Sequence, residues 1–96
     1  MPKAIWKGAI IAEASDEEVE IVEGNVYFPM RSVHRDYLVA SHTVQHYVGI
    51  GHAGHFHVVV EDQVNEDAAW IYRNPLTAAK RIADHIAFRH GVEIRT

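Results

Sequence analysis

Two short segments of this chain carry side chains of the kind that hold a small molecule. Glu23-Gly24-Asn25-Val26-Tyr27-Phe28-Pro29 supplies a carboxylate, an amide and a phenol, and Asp67-Ala68-Ala69-Trp70-Ile71-Tyr72 supplies a second carboxylate and two rings. Arg35 lies between them in sequence. Aromatic rings make a flat apolar wall, and a few fixed charged groups orient what lies against it. We therefore expect Glu23, Tyr27, Arg35, Asp67, Trp70 and Tyr72 to form a pocket for a small, planar, polar molecule. Trp70 and Tyr72 would wall it, Arg35 would hold an anionic group, and Glu23 or Asp67 would accept hydrogen bonds or move a proton. On a strand, Trp70 and Tyr72 share a face. The competing reading makes Glu23-Gly24-Asn25 a turn and the two rings ordinary core.

Histidine is abundant, with 8 in 96 residues. His55, His57 and Glu61 fall at strand spacing on one face, and imidazoles with a carboxylate suit a metal ion. Gly49 followed by His55-x-His57-x-x-x-Glu61 partly mimics the first cupin motif. Ala68 stands where that motif has glycine, and the second motif is missing. This metal-binding module is the alternative function. A third possibility, acid–base chemistry by His85 with Asp84 or His34 with Asp36, is poorly founded, because adjacent residues do not face each other. No nucleophile elbow or phosphate-binding glycine loop is present, and the sequence leaves any cofactor unknown.

Composition narrows the setting. Ninety-six residues at 48% hydrophobic and 23% charged suit a single domain over residues 1–96 with one core. There is no cysteine, which excludes disulfides and thiolate ligands and points to a reducing cytoplasm. The apolar runs are too short to cross a bilayer, and Lys7 interrupts the start where a secretory leader would be apolar. Net charge is −4 at pH 7 with scattered basic residues, so neither nucleic acid nor membrane is an expected partner. A homodimer joined through strand edges is a further possibility, which would make the chain an interaction domain rather than a binding protein or an enzyme.

The elements that must position these residues read as short strands separated by turns. Ala4 to Ile11 is a hairpin about Lys7-Gly8. Val19 to Glu23 alternates as a strand, Gly24-Asn25 breaks it, and Val26 to Phe28 is another strand. Ser32 to Leu38 is a weak helical candidate. Thr43 to Val48 alternates again, and His55 to Glu61, with its valine run, reads as a central strand. Asn65-Glu66-Asp67 turns the chain into a strand over Ala68 to Tyr72. Asn74-Pro75 opens one helix, with Leu76, Ala79, Ile82, Ala83 and Ile86 at helical spacing. Ile86 to Phe88 also reads as strand, and His90-Gly91 turns into Val92 to Ile94. The class is mainly β (α+β), with one helix in the C-terminal half.

The two longer motifs, with Ser32-Val33, His85-Ile86-Ala87-Phe88 and Gly91-Val92-Glu93-Ile94, resemble domain-of-unknown-function family four hundred and twenty-seven, a bacterial family. The resemblance runs from about Trp6 to Glu93. It implies small twisted antiparallel sheets in a tent-like arrangement. A nucleotidyltransferase label sometimes attached to the family does not fix a chemistry. The sequence departs from the family at Tyr47-Val48-Gly49-Ile50-Gly51, where members carry Cys-Pro-Trp-Lys-Gly. Any activity that needs that thiol or lysine is absent or rerouted here.

Overall fold

The computed structural model describes residues 1–96. Its hairpins are set by residues with positive φ, which side chains other than glycine adopt only locally. Lys7-Gly8 (φ 50° and 78°) joins β1 (Lys3–Trp6) to β2 (Ala9–Glu13), and Glu23-Gly24 (φ 51° and 80°) joins β3 (Glu20–Val22) to β4 (Asn25–Pro29). Two 3-10 turns, Met30–Ser32 and Arg35–Tyr37, replace the helical candidate over Ser32 to Leu38. A long hairpin follows, β5 (Leu38–Tyr47) and β6 (Gly51–Val60), then β7 (Gln63–Ile71), β8 (His85–Phe88) and β9 (Glu93–Arg95).

All strand pairs are antiparallel. Six strands form one sheet in the order β3-β4-β8-β7-β6-β5, and β2-β1-β9 form a smaller one. The chain is thus mainly β, in two antiparallel sheets. Alternation sends successive side chains to opposite faces of the larger sheet. Phe28, Val58, Ala69 and Ile86 join Ala4, Ile11 and Ala12 of the smaller sheet in the main core. Tyr27, Ala53, Tyr72 and Ala87 form a second cluster with Ile82. Strand β6 serves both, the main core through Val58 and Val60 and the second cluster through Ala53.

The expected helix is present only as six residues of 3-10 geometry, Thr77–Ile82, kinked at Ala79 (φ −115°, ψ 18°). Its predicted stripe is split. Ile82 is fully buried, Leu76 is 53% exposed, and Ile86 belongs to β8. The expected turn at Asn65 to Asp67 is also corrected: those residues lie inside β7. The reversal falls earlier, at Glu61-Asp62, where Glu61 has φ 54°. Asp67, at φ 51°, sits in a bulge, so the β6–β7 register jumps between Phe56↔Ala69 and Val58↔Asn65. A second bulge displaces Ser41 to Thr43 on β5, between Ala40↔Phe56 and Val44↔Gly54. No helix is long and apolar enough to cross a membrane.

Candidate functional site

The two motifs that were far apart in sequence meet through β8. Phe28 on β4 pairs with Ile86, and Trp70 on β7 pairs with Ala87. Ala87 is fully buried, and Tyr27 and Trp70 pack with it on one face. Because alanine ends at Cβ, the two large rings close over it. The Trp70 indole N–H donates to the Tyr27 hydroxyl at 3.2 Å, and the rings meet edge to face with centroids 6.1 Å apart.

This pair forms the back of a cavity of about 240 Å³ lined by Glu23, Asn25, Tyr27, Trp70 and Tyr72, together with Tyr47, Ile50 and Arg89. Four of the six expected residues are therefore gathered in one place. Arg35 is elsewhere, in an exposed 3-10 turn beside a groove bordered by His34, Asp36 and Tyr37. The cation of the cavity is Arg89. Its guanidinium lies 5.8 Å from the Trp70 ring centroid, and its Nε donates to the Asp67 carbonyl at 2.9 Å. Asp67 thus acts on the cavity through its backbone. Its carboxylate is taken by the Ser41 and Thr43 hydroxyls at 2.5 and 2.8 Å.

Burial governs the electrostatics of the two inner phenols. It pushes the Tyr27 hydroxyl above its ordinary value of 10.0, although the Trp70 hydrogen bond works against this. Burial, with smaller contributions from the charges of Tyr27, Tyr47 and Glu23, pushes Tyr72 up to about 12. Both phenols stay protonated in neutral solution. They serve as neutral hydrogen-bond donors or acceptors and not as bases.

The metal-binding alternative does not assemble. His55 is 4% exposed; its Nδ1 faces the Thr43 carbonyl at 3.2 Å, and its buried Nε2 has no partner. The His57 Nδ1 accepts the Asp67 backbone N–H at 3.0 Å, so it carries no proton in that bond. It is then no cation for the Asp67 carboxylate 3.7 Å away. Glu61 turns away at the head of the β6–β7 hairpin. No group of three or more His, Cys, Asp or Glu side chains stands where it could hold a metal ion. Of the two acid–base candidates, His85 is turned to the Ala83 carbonyl at 2.8 Å while Asp84 faces Arg73 at 3.9 Å, and His34 and Asp36 are both exposed.

The profile of a family described as a domain of unknown function (DUF427) matches residues 3–95, nearly the whole chain. The chain belongs to this family. Comparison with curated proteins finds no match. Two of the cavity residues that sequence reasoning missed, Tyr47 and Ile50, sit at the turn between β5 and β6, and only the closing of that hairpin brings them to the cavity. Arg89 follows β8 directly, and only the pairing of β8 with β7 brings it to Trp70.

Proposed function

We propose that this DUF427 domain binds a small planar polar molecule in the cavity between Tyr27, Trp70 and Tyr72. The observation that carries this reading is the fixed Tyr27–Trp70 pair with Arg89 on the indole and Glu23 and Asn25 beside it. A ring lies against the aromatic wall, an anionic substituent meets Arg89, and an N–H on the ring donates to Glu23 or Asn25. The volume, about 240 Å³, is below the usual range for drug-sized ligands and suits a single ring system. With both inner phenols protonated, Tyr27 and Tyr72 orient the ligand and do not abstract its protons.

The chain has two tryptophans, and Trp6 lies on β1 in the other sheet. In a Trp6→Phe background, indole emission reports on Trp70 alone. Nicotinate and orotate are both planar rings with a carboxylate and serve as probes; orotate also carries ring N–H for Glu23 or Asn25, whereas nicotinate lacks it and tests the aromatic wall and Arg89 alone. Saturable quenching of Trp70 together with a raised melting temperature is the expected result. Arg89→Gln should weaken binding about tenfold, the usual effect of losing a hydrogen bond to a charged group. If neither probe moves the emission or the melting temperature, this reading fails.

A second reading is favoured by the outer edge of the large sheet. Strand β5 is ten residues long and leaves Val39 and Val44 exposed. No Lys, Arg, Asp or Glu occurs from Leu38 to Val60, so no permanent charge opposes pairing of this edge with a second copy. Sizing chromatography of the wild type and of Val39→Lys tests it; a monomer in both removes the dimer.

A further inference from the structure

Strand β6 carries two glycines with different physical reasons. Gly51 has φ +130°, a conformation that residues with a side chain rarely adopt, so its backbone requires glycine. Gly54 has no such requirement. Its φ lies outside the left-handed region, and a Cβ would make one ordinary contact, 3.8 Å from the Ile71 Cγ2. A glycine inside a strand weakens it and often marks a place where something else approaches the backbone. Here it leaves open the floor of a cavity of about 410 Å³.

Gly54 pairs with Val44 on one side and Ile71 on the other, so the three form a row across β5, β6 and β7. Val44 and Ile71 give the floor its apolar character, and Leu76 closes one side. Val44 and Leu76 are 63% and 53% exposed and open the cavity's apolar surface to solvent, while Ile71 is buried at 2%. The rim is basic or neutral. It holds His46 and His52, whose rings are tilted 51° to each other with centroids 4.7 Å apart, and Arg73. Arg73 is the one permanent charge among the lining residues, and no carboxylate lines the cavity in a chain whose net charge is −4. The Asp84 carboxylate sits 3.9 Å from Arg73, and both groups are well exposed. An exposed pair of this kind is weak and yields to a better anion.

We propose that this cavity is a second ligand site, for a small amphipathic anion: an apolar aliphatic or aromatic body bearing one carboxylate or phosphate. The body lies on the bare backbone of Gly54 between Val44 and Ile71, and the anionic head meets Arg73 beside the two imidazoles. The site is distinct from the Tyr27–Trp70 cavity. Ile71 points to one face of β7 and its neighbours Trp70 and Tyr72 to the other, so the two sites lie on opposite faces of the sheet and stand independently.

Octanoate and phenyl phosphate are the probes, with octanol as the neutral control and two-dimensional amide NMR as the readout. The expected result is saturable shifts of the Gly54 and Ile71 amides while the Trp70 indole signal stays in place. The stronger of the two probes identifies the head group. Arg73→Gln should weaken binding of that probe about tenfold and leave octanol unaffected. Gly54→Val puts a side chain in the floor. It should fold with an equal or higher melting temperature and show no saturable shifts, which separates occlusion of the cavity from damage to the sheet. The proposal is overturned by absence of saturation with both anionic probes. Binding to Gly54→Val as to the wild type, or octanol binding as tightly as octanoate, overturns it equally.

Discussion

The Ser41 hydroxyl donates to the Asp67 carboxylate at 2.5 Å although the whole of β6 runs between their strands. Two bulges make this possible. One displaces Ser41 to Thr43 on β5 opposite His55, and the other displaces Asp67 on β7 opposite His57. Thr43 donates to the second carboxylate oxygen, and the Asp67 backbone N–H, freed from the ladder, finds the His57 ring. The same bulge leaves the Asp67 carbonyl for Arg89. A distortion of three strands thus fixes the cation beside Trp70.

Asp67 should therefore give the fold an acid dependence. The Ser41 and then the Thr43 hydrogen bonds lower its pKa from the ordinary 3.8. A depressed carboxylate contributes stability that is present above the unfolded pKa and is lost as pH falls through the folded one. Denaturant midpoints of the wild type should fall below about pH 4. Asp67→Asn should be less stable than the wild type at neutral pH and show a flatter acid limb. An unchanged acid limb would mean that other carboxylates govern it.

The phenols predict the opposite limb. Tyr72, raised to about 12, and Tyr27, raised in the same direction, hold their protons in the fold after an unfolded chain would lose them at 10.0. Their contribution is complete below pH 10 and is lost as pH rises towards 12. Phenolate absorbance of the native protein should show two of the four tyrosines titrating late. In Tyr72→Phe only one late tyrosine should remain.

Much of this arrangement is legible in the sequence, because local rules carry it. Lys7-Gly8 marks a hairpin through the positive φ that its turn needs, whereas the break expected at Gly24-Asn25 falls one residue earlier, at Glu23-Gly24. Trp70 and Tyr72 share a face because strands alternate. Non-local pairing is what the sequence does not disclose. Arg89 and Tyr47 reach the cavity only because β8 lies beside β7 and the β5–β6 hairpin closes above Tyr72. Tyr47 and Tyr72 meet edge to face at 6.1 Å. The late helix failed for a different reason. Leu76, Ala79 and Ile82 have helical spacing, but only Ile82 is fully buried, Leu76 stays exposed and Ile86 is taken by β8 for its pairing with Phe28, so no continuous apolar stripe holds an α-helix against the sheet.

Ile82 is the anchor of that short segment, and removing it tests whether the second core cluster holds the cavity in shape. Its side chain is fully buried with Tyr27, Tyr72 and Ala87. Ile82→Ala should cost about 3 kcal/mol in chemical denaturation, the usual cost of a large-to-small change in a core. A loss under about 1 kcal/mol would mean that the segment collapses freely onto the sheet.

Tyr27→Phe isolates the hydrogen bond from the ring. The edge-to-face contact with Trp70 survives the change, but the indole N–H loses its acceptor. A half-buried donor left without a partner costs about 1 kcal/mol, so stability should drop by that amount. In the Trp6→Phe background the remaining indole should become more mobile, and fluorescence anisotropy of Trp70 should fall. Because the aromatic wall and Arg89 are untouched, nicotinate should still bind, more weakly than before. If stability and anisotropy both stay at wild-type values, the hydroxyl does not hold the indole. The orientation of Trp70 would then rest on Ala87 and Arg89 alone.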